Sequence, residues 1–270
     1  MIIGVHAGHN PSGMVACGAK GLICESTEAR NVKDEVIRLL KEVGHTVVDC
    51  TVNDGTSASD VINKIVKKSN AQDLDLTVSI HFNAGASDKD GNGKSTGVEV
   101  LATEFSGIKK EVSTRICDNV AKLGFKNRGN KVRTNLGFLN KSKAKAILVE
   151  CCFVDDADDV KLYDAKSMGR AIAEGIHGSS IEVKIPSSNN TVKPEVEKTE
   201  TMTNTDCPFV VKIKVDSLNV RSGAGTSYPV VTTVSKGQAY TITEVKNGWG
   251  KLKSGRGFIS IGTKYVEKVK

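Results

Sequence analysis

Apolar residues along the first two thirds of the chain fall into two alternating patterns. Short runs, "IIGV" from Ile2, "HTVVDCTV" from His45, "LTVSIHFNA" from Leu76, "GVEVLAT" from Gly97 and "AILVECCFV" from Ala146, read as strands. Between them lie stretches with helical periodicity. In "STEARNVKDEVIRLLKEVG" the residues Val32, Val36, Leu39, Leu40 and Val43 share one helix face, and Gly44 supplies a stop. A second helix is predicted from about Ser57 to Asn70 and a third across "EVSTRICDNVAKLG". Strand and helix in alternation predict an α/β fold with a mostly parallel sheet flanked by helices on both faces. In open sheets of this kind, sites form outside the carboxyl ends of the strands.

The pattern breaks near Ser179. From there to Asp206 the chain has no aromatic residue and is rich in Ser, Thr, Asn, Glu and Lys. Such a composition buries too little apolar surface to order itself strongly, so residues 179–206 are expected to be a linker. After it, residues 207–270 show short alternating strands, glycine-rich turns and an Asn247-Gly248 hairpin signal, which predict a small all-β barrel. The expected domains are therefore 1–178, 179–206 and 207–270. Charge follows the same division: the last segment holds 11 Lys/Arg against 3 Asp/Glu, and the whole chain carries +7, so the remainder is close to neutral.

No apolar run reaches the roughly 20 residues a membrane helix needs, and membrane insertion is not expected. "MIIGVHAGHN" lacks the basic leader, apolar segment and cleavage site of a secretory signal, so synthesis in a cytoplasm is expected. The seven cysteines show neither zinc-ribbon nor disulfide-scaffold spacing and are read as reduced thiols. Strand alternation is expected to send adjacent Cys151 and Cys152 to opposite faces, as small buried hydrophobes.

Candidate chemistry gathers at the strand ends. "GVHAGHN" places His6 and His9 where an apolar strand runs into a glycine-containing loop, His81 closes "LTVSIH", and Glu150 closes "AILVE". A carboxylate on an otherwise apolar strand is costly against the core, so Glu150 is expected to face a polar site. A catalytic zinc takes three protein ligands and keeps one position open. His9 and His81 supply two. Glu25 and Glu28, both at the opening of the first long helix, are alternatives for the third, the other serving the helix dipole. These residues predict a zinc hydrolase in which a carboxylate handles the proton of the attacking water.

The four stretches "AGHN", "GLICE", "SIHFN" and "ILVECCF", in that order over about Met1–Gly178, resemble the zinc-dependent N-acetylmuramoyl-L-alanine amidases of the amidase 3 type, found in bacterial autolysins and phage endolysins. The resemblance implies His9, Glu25 and His81 as ligands of one Zn²⁺, Glu150 as the catalytic residue, Asn83 in substrate binding, and His6 as a neighbour outside the ligand set. It implies cleavage of the amide joining N-acetylmuramic acid to L-alanine. Cys151 and Cys152 depart from the small residues many members carry after the glutamate.

"LNVRSGAGTSYPVV", "VSKGQAYTI" and "NGWGKLK" resemble the bacterial SH3 domains that attach lytic enzymes to cell walls, over about Lys212–Val269. Peptidoglycan is the implied partner, with Tyr228 and Trp249 as cell-wall-binding residues, while core packing competes for these two and for Tyr240 and Phe258. The positive charge is expected to draw this segment toward anionic wall polymers, and no nucleic-acid-binding motif accompanies it. A phage endolysin, which reaches the wall without a leader, is the expected role. The alternatives are a zinc peptidase cutting within the stem or cross-bridge and a non-catalytic wall-binding protein. Initiation at Met202, ahead of the last segment, or proteolysis of the linker would release a separate binding domain.

Overall fold

A computed structural model describes residues 1–182 and 207–269, apart from 222, 226, 227, 229 and 247. Met202 and nearly all of the expected linker lie outside the described residues. The chain divides into two compact units, Met1–Ser187 and Ser188–Lys270.

The first unit runs β1 (Ile2–Ala7), α1 (Glu25–Glu42), β2 (Thr46–Asp49), α2 (Ala58–Asn70), β3 (Leu76–Asn83), β4 (Val98–Ala102), α3 (Gly107–Ala121), β5 (Asn127–Val132), α4 (Gly137–Lys141), β6 (Lys145–Phe153), α5 (Ala157–Leu162) and α6 (Ala165–His177). Its strands form one sheet in the order β2-β1-β3-β6-β4-β5. All neighbours are parallel except β4 and β6. Helices cover both faces, as the alternation predicts. Ile3, Val5, Val78, Ile80, Ile147 and Val149 pack on one side against Val36 and Leu40 of α1, Ile116 of α3 and Ile172 of α6. Leu101 and Leu148 pack on the other against Val61 and Ile65 of α2 and Phe138 of α4.

Local chemistry explains the helix starts. Ser57 caps α2 by accepting from the Asp60 amide, and Asp164 caps α6 by accepting from that of Ser167. The acidic run at Asp155–Asp159 has a structural use: Asp155 accepts from the amides of Gly85, Ala86 and Ser87, Asp158 from those of Asn92, Gly93 and Lys94, and Asp156 from that of Thr96. These carboxylates fasten the β3–β4 connection beside the end of β3.

The expected separation of Cys151 and Cys152 is corrected. Both are fully buried in the same core cluster. The β3–β6 register passes from His81↔Glu150 to Asn83↔Phe153, so β6 carries an extra residue there and strict alternation is lost. Cys17, Cys24, Cys50, Cys117, Cys151 and Cys152 are free thiols.

The second unit is a seven-stranded antiparallel sheet in the order β13-β7-β10-β11-β12-β8-β9, with β7 at Phe209–Ile213, β8 at Ser217–Arg221, β9 at Val230–Ser235, β10 at Ala239–Lys246, β11 at Trp249–Leu252, β12 at Phe258–Ser260 and β13 at Val266–Val269. Val211, Ile213, Val220, Ile242, Ile259 and Val266 supply an aliphatic core, joined by Phe209.

Candidate active site

The site begins where β1 ends. Two residues beyond Ala7, His9 takes φ +63°, a left-handed backbone that costs a non-glycine residue free energy and needs support from its surroundings. The support is visible. Arg30 Nη2 donates to the His9 carbonyl at 2.9 Å, and the fully buried Asn10 amide ties the loop to Val15 and Gly55 at 2.8 and 2.7 Å.

Glu25, the first residue of α1, reaches into this loop. Its Oε2 accepts from the Ala19 amide at 2.7 Å, which leaves Oε1 facing two imidazoles: His81 Nδ1 at 2.8 Å and His9 Nε2 at 3.3 Å. Burial pushes the Glu25 carboxyl up, but the hydrogen bonds and charges of His81 and His9 outweigh it and hold it well below the ordinary carboxylate range. For His81, burial lowers the pKa, while the Glu25 hydrogen bond and the charges of Glu150 and Glu25 raise it, with a net upward shift. Glu28 goes elsewhere, accepting from Tyr163 Oη and from Asn31.

Two glycines make room for this arrangement. A Cβ on Gly8 would stand 2.1 Å from the His81 ring. One on Gly18, which has φ +79°, would stand 2.5 Å from Glu25 Oε2 and 2.8 Å from His9. The three donor atoms all lie within 4.8 Å of one another, and two imidazole nitrogens with one carboxylate oxygen form a donor set that suits zinc with one position left open. The residues fit the metal.

Glu150 lies beside His81 in the parallel β3–β6 register, and the strand continues three residues beyond it. Burial pushes its carboxyl up to about 7, against the His81 charge and aided by those of Glu25 and Glu99, and its Oε2 has no hydrogen-bond partner among the described residues. Because β4 runs antiparallel to β6, Glu99 near its start also faces Glu150. Glu99 is buried and bridges two neighbours: Asn83 Nδ2 donates to Oε1 at 3.0 Å and Arg128 Nε to Oε2 at 2.8 Å. The Asn83 amide, read from sequence as a substrate contact, is thus held by a carboxylate that the sequence reading did not single out.

A family model described as N-acetylmuramoyl-L-alanine amidase matches residues 3–182, well over half of the chain. The chain belongs to the amidase 3 family. A bacterial SH3 domain model matches residues 216–267 of the second unit. The chain is 36% identical over 190 residues to an uncharacterized protein of Clostridium perfringens (strain 13 / Type A), covering 68% of this chain and 54% of the relative. It is 31% identical over 150 residues to an endolysin of Bacillus phage SPP1, covering 53% of this chain and 54% of the endolysin. The chain thus spans about half the length of these relatives. Among solved structures, the catalytic domain of the CD27L endolysin targeting Clostridia difficile superimposes with a TM-score of 0.59 at 28% identity, covering 67% of this chain and 99% of that domain.

In the SH3 unit of this amidase-family chain, Tyr228 is 45% exposed while Trp249, Tyr240 and Phe258 are half-buried. Tyr240 packs against the core cluster of this unit, and Tyr228 is not among the described residues of that cluster. The Tyr228 ring packs over Gly223, where a Cβ would meet it at 2.2 Å, and Arg221 Nη1 donates to the Tyr228 carbonyl at 2.7 Å.

Proposed function

We propose that this amidase is a zinc-dependent peptidoglycan hydrolase that cleaves the amide between N-acetylmuramic acid and L-alanine, acting at the wall as an endolysin. The observation that carries the reading is the Glu25 carboxylate gripped between His9 and His81, with Glu150 in register beside His81. His9, Glu25 and His81 would hold a zinc ion, which would supply Lewis acidity toward the scissile carbonyl. Glu150 does the proton work: a buried carboxylate shifted to about 7, with an unpartnered Oε2, accepts a proton from the attacking water and returns it to the leaving nitrogen near neutral pH. Glu99 holds the Asn83 amide and is itself neutralised by Arg128.

The second unit supplies attachment. Its excess of Lys and Arg favours anionic wall polymers, and Tyr228 with Trp249 offers aromatic surface to a wall ligand.

End-group analysis of purified peptidoglycan tests the reading. New L-alanine amino termini without new reducing ends, abolished by chelation and by Glu150→Gln, support it. Other amino termini would make the chain a stem or cross-bridge peptidase. No new ends from zinc-loaded protein would leave wall binding alone.

A further inference from the structure

His9, His81 and Glu150 of the candidate metal centre open onto a cavity of about 400 Å³ that extends over the α2 and α4 side of the sheet. Val61, Ile65 and Phe138 form its apolar wall and Arg133 also lines it, and three of its lining residues carry a polar side-chain atom buried without a hydrogen-bond partner among the described residues: His6 Nε2, Ser79 Oγ and Glu150 Oε2. Glu150 belongs to the proposed chemistry. His6 and Ser79 do not, and they are register partners across β1 and β3, two residues back along β3 from His81. Their exposures are 1% and 0%.

Buried polar groups are rarely left unpaired, because each costs about 1–3 kcal/mol. The hydrogen-bonding character of this floor can be read from its neighbours. His6 Nδ1 lies 3.3 Å from the Ala7 carbonyl, which can only accept, so Nδ1 carries the hydrogen and Nε2 presents a lone pair. Burial and the His81 charge keep the imidazole neutral, and its ring meets Phe138 edge-on at 4.5 Å. Ser79 Oγ can donate to an acceptor. The floor therefore asks for a donor at His6 and an acceptor at Ser79, on a group small and apolar enough for the walls. A carboxylate carries no hydrogen for the His6 Nε2 lone pair, and a sugar ring has too many hydroxyls to desolvate against Val61 and Ile65.

We propose that this cavity is a specificity subsite for an uncharged amide on a short alkyl stem of the substrate, with the amide N–H on His6 Nε2 and its carbonyl on Ser79 Oγ. The inference rests on the amidase reading above. Two parts of that substrate carry this chemistry: the acetamido group of the sugar and an amide of the peptide stem.

The test is steady-state cleavage by the zinc-loaded full chain, compared with Ser79→Ala and His6→Phe. The probes are N-acetylmuramoyl-L-alanyl-D-isoglutamine, its de-N-acetylated form, and the form whose carboxamide is replaced by carboxylate. On the intact probe each substitution is expected to raise KM about threefold to tenfold, the range of one lost hydrogen bond, with kcat within about twofold. Neither His6 Nε2 nor Ser79 Oγ has a hydrogen-bond partner among the described residues, so Ser79→Ala should not lower thermal stability, which separates a ligand contact from a structural role, whereas His6→Phe also gives up the Nδ1 bond to the Ala7 carbonyl. On one modified probe wild type and variants should converge, and that probe identifies the amide.

Unchanged KM in both variants overturns the proposal and leaves bridging water on the floor. A lower melting temperature with unchanged KM overturns it in favour of packing. A penalty that persists on both modified probes overturns the amide assignment. If wild type releases no L-alanine termini from any probe, the amidase reading itself fails and the subsite falls with it.

Discussion

A methyl group on Gly8 would stand 2.1 Å from Cε1 of His81. The backbone after β1 passes directly against an imidazole of the candidate metal centre, and Gly8 N donates to the Ile80 carbonyl at 2.9 Å, which prevents the two strands from separating to relieve a clash. The ring must move instead. Gly8→Ala is therefore expected to displace His81 Nδ1 from Glu25 and to weaken zinc binding by about 10- to 100-fold, the range found when the support of a metal ligand is disturbed. Competition with a chromogenic chelator measures it, and retention of wild-type affinity would remove Gly8 from the site.

Glu150→Gln separates chemistry from stability. Loss of the proton acceptor is expected to reduce turnover by about 10²- to 10⁴-fold while zinc content stays at wild-type level. In metal-free protein the carboxyl is raised from 4.5 to about 7 on folding, so the folded state holds a proton that the unfolded state releases between those values. Wild type accordingly loses stability as pH rises through this window, and the glutamine variant does not. Melting curves of the chelated proteins at about pH 5 and pH 8 should show the variant gaining on wild type at the higher pH. Parallel curves would show that Glu150 does not carry a raised pKa.

Much of this site is legible in the chain because its residues break the apolar rule of their strands. Glu150 in "AILVE" and His81 in "LTVSIH" are conspicuous for that reason, whereas Glu25 and Glu28 are not separable by spacing, since both occupy the first turn of α1 and only the loop fold sends Ala19 N to one of them. Glu99 in "GVEVLAT" bears the same signal as Glu150, and the same argument would have found it. Ser79 escapes notice because a serine on a strand is ordinary until its burial is known. The sheet was readable from its apolar strands; β5, "NRGNKV", was not, because an edge strand can be polar. Cys151 and Cys152 defeat the alternation rule through a bulge that no residue type announces.

The Glu99–Arg128 pair supports a prediction about stability. Glu99 is nearly inaccessible, and Arg128, whose guanidinium also lies 5.0 Å from the Phe153 ring, is the cation that offsets its charge. Arg128→Ala leaves that carboxylate with the Asn83 amide alone. Because the arginine is partly exposed, the expected loss is about 1–3 kcal/mol, below that of a fully buried pair. Adding Glu99→Gln should recover part of it, since a neutral amide costs less to bury than an unpaired charge. Denaturant unfolding of both single variants and the double variant completes the cycle, and strict additivity would mean that the pair is not coupled.

Attachment by the SH3 unit should depend on ionic strength. Its surplus of Lys and Arg attracts anionic polymers through a field screened over about 10 Å at 0.1 M salt and about 3 Å at 1 M. Retention of the full chain on purified walls is therefore expected to fall as NaCl rises from about 0.1 M to about 1 M. Walls stripped of anionic polymer should bind less at low salt and approach intact walls at high salt. Tyr228→Ala adds a second axis: the side chain is well exposed, so its loss should weaken retention at every salt concentration while the melting of the unit changes little. Salt-independent retention would assign attachment to uncharged contacts alone, and wild-type retention by Tyr228→Ala would remove that ring from the wall-binding surface.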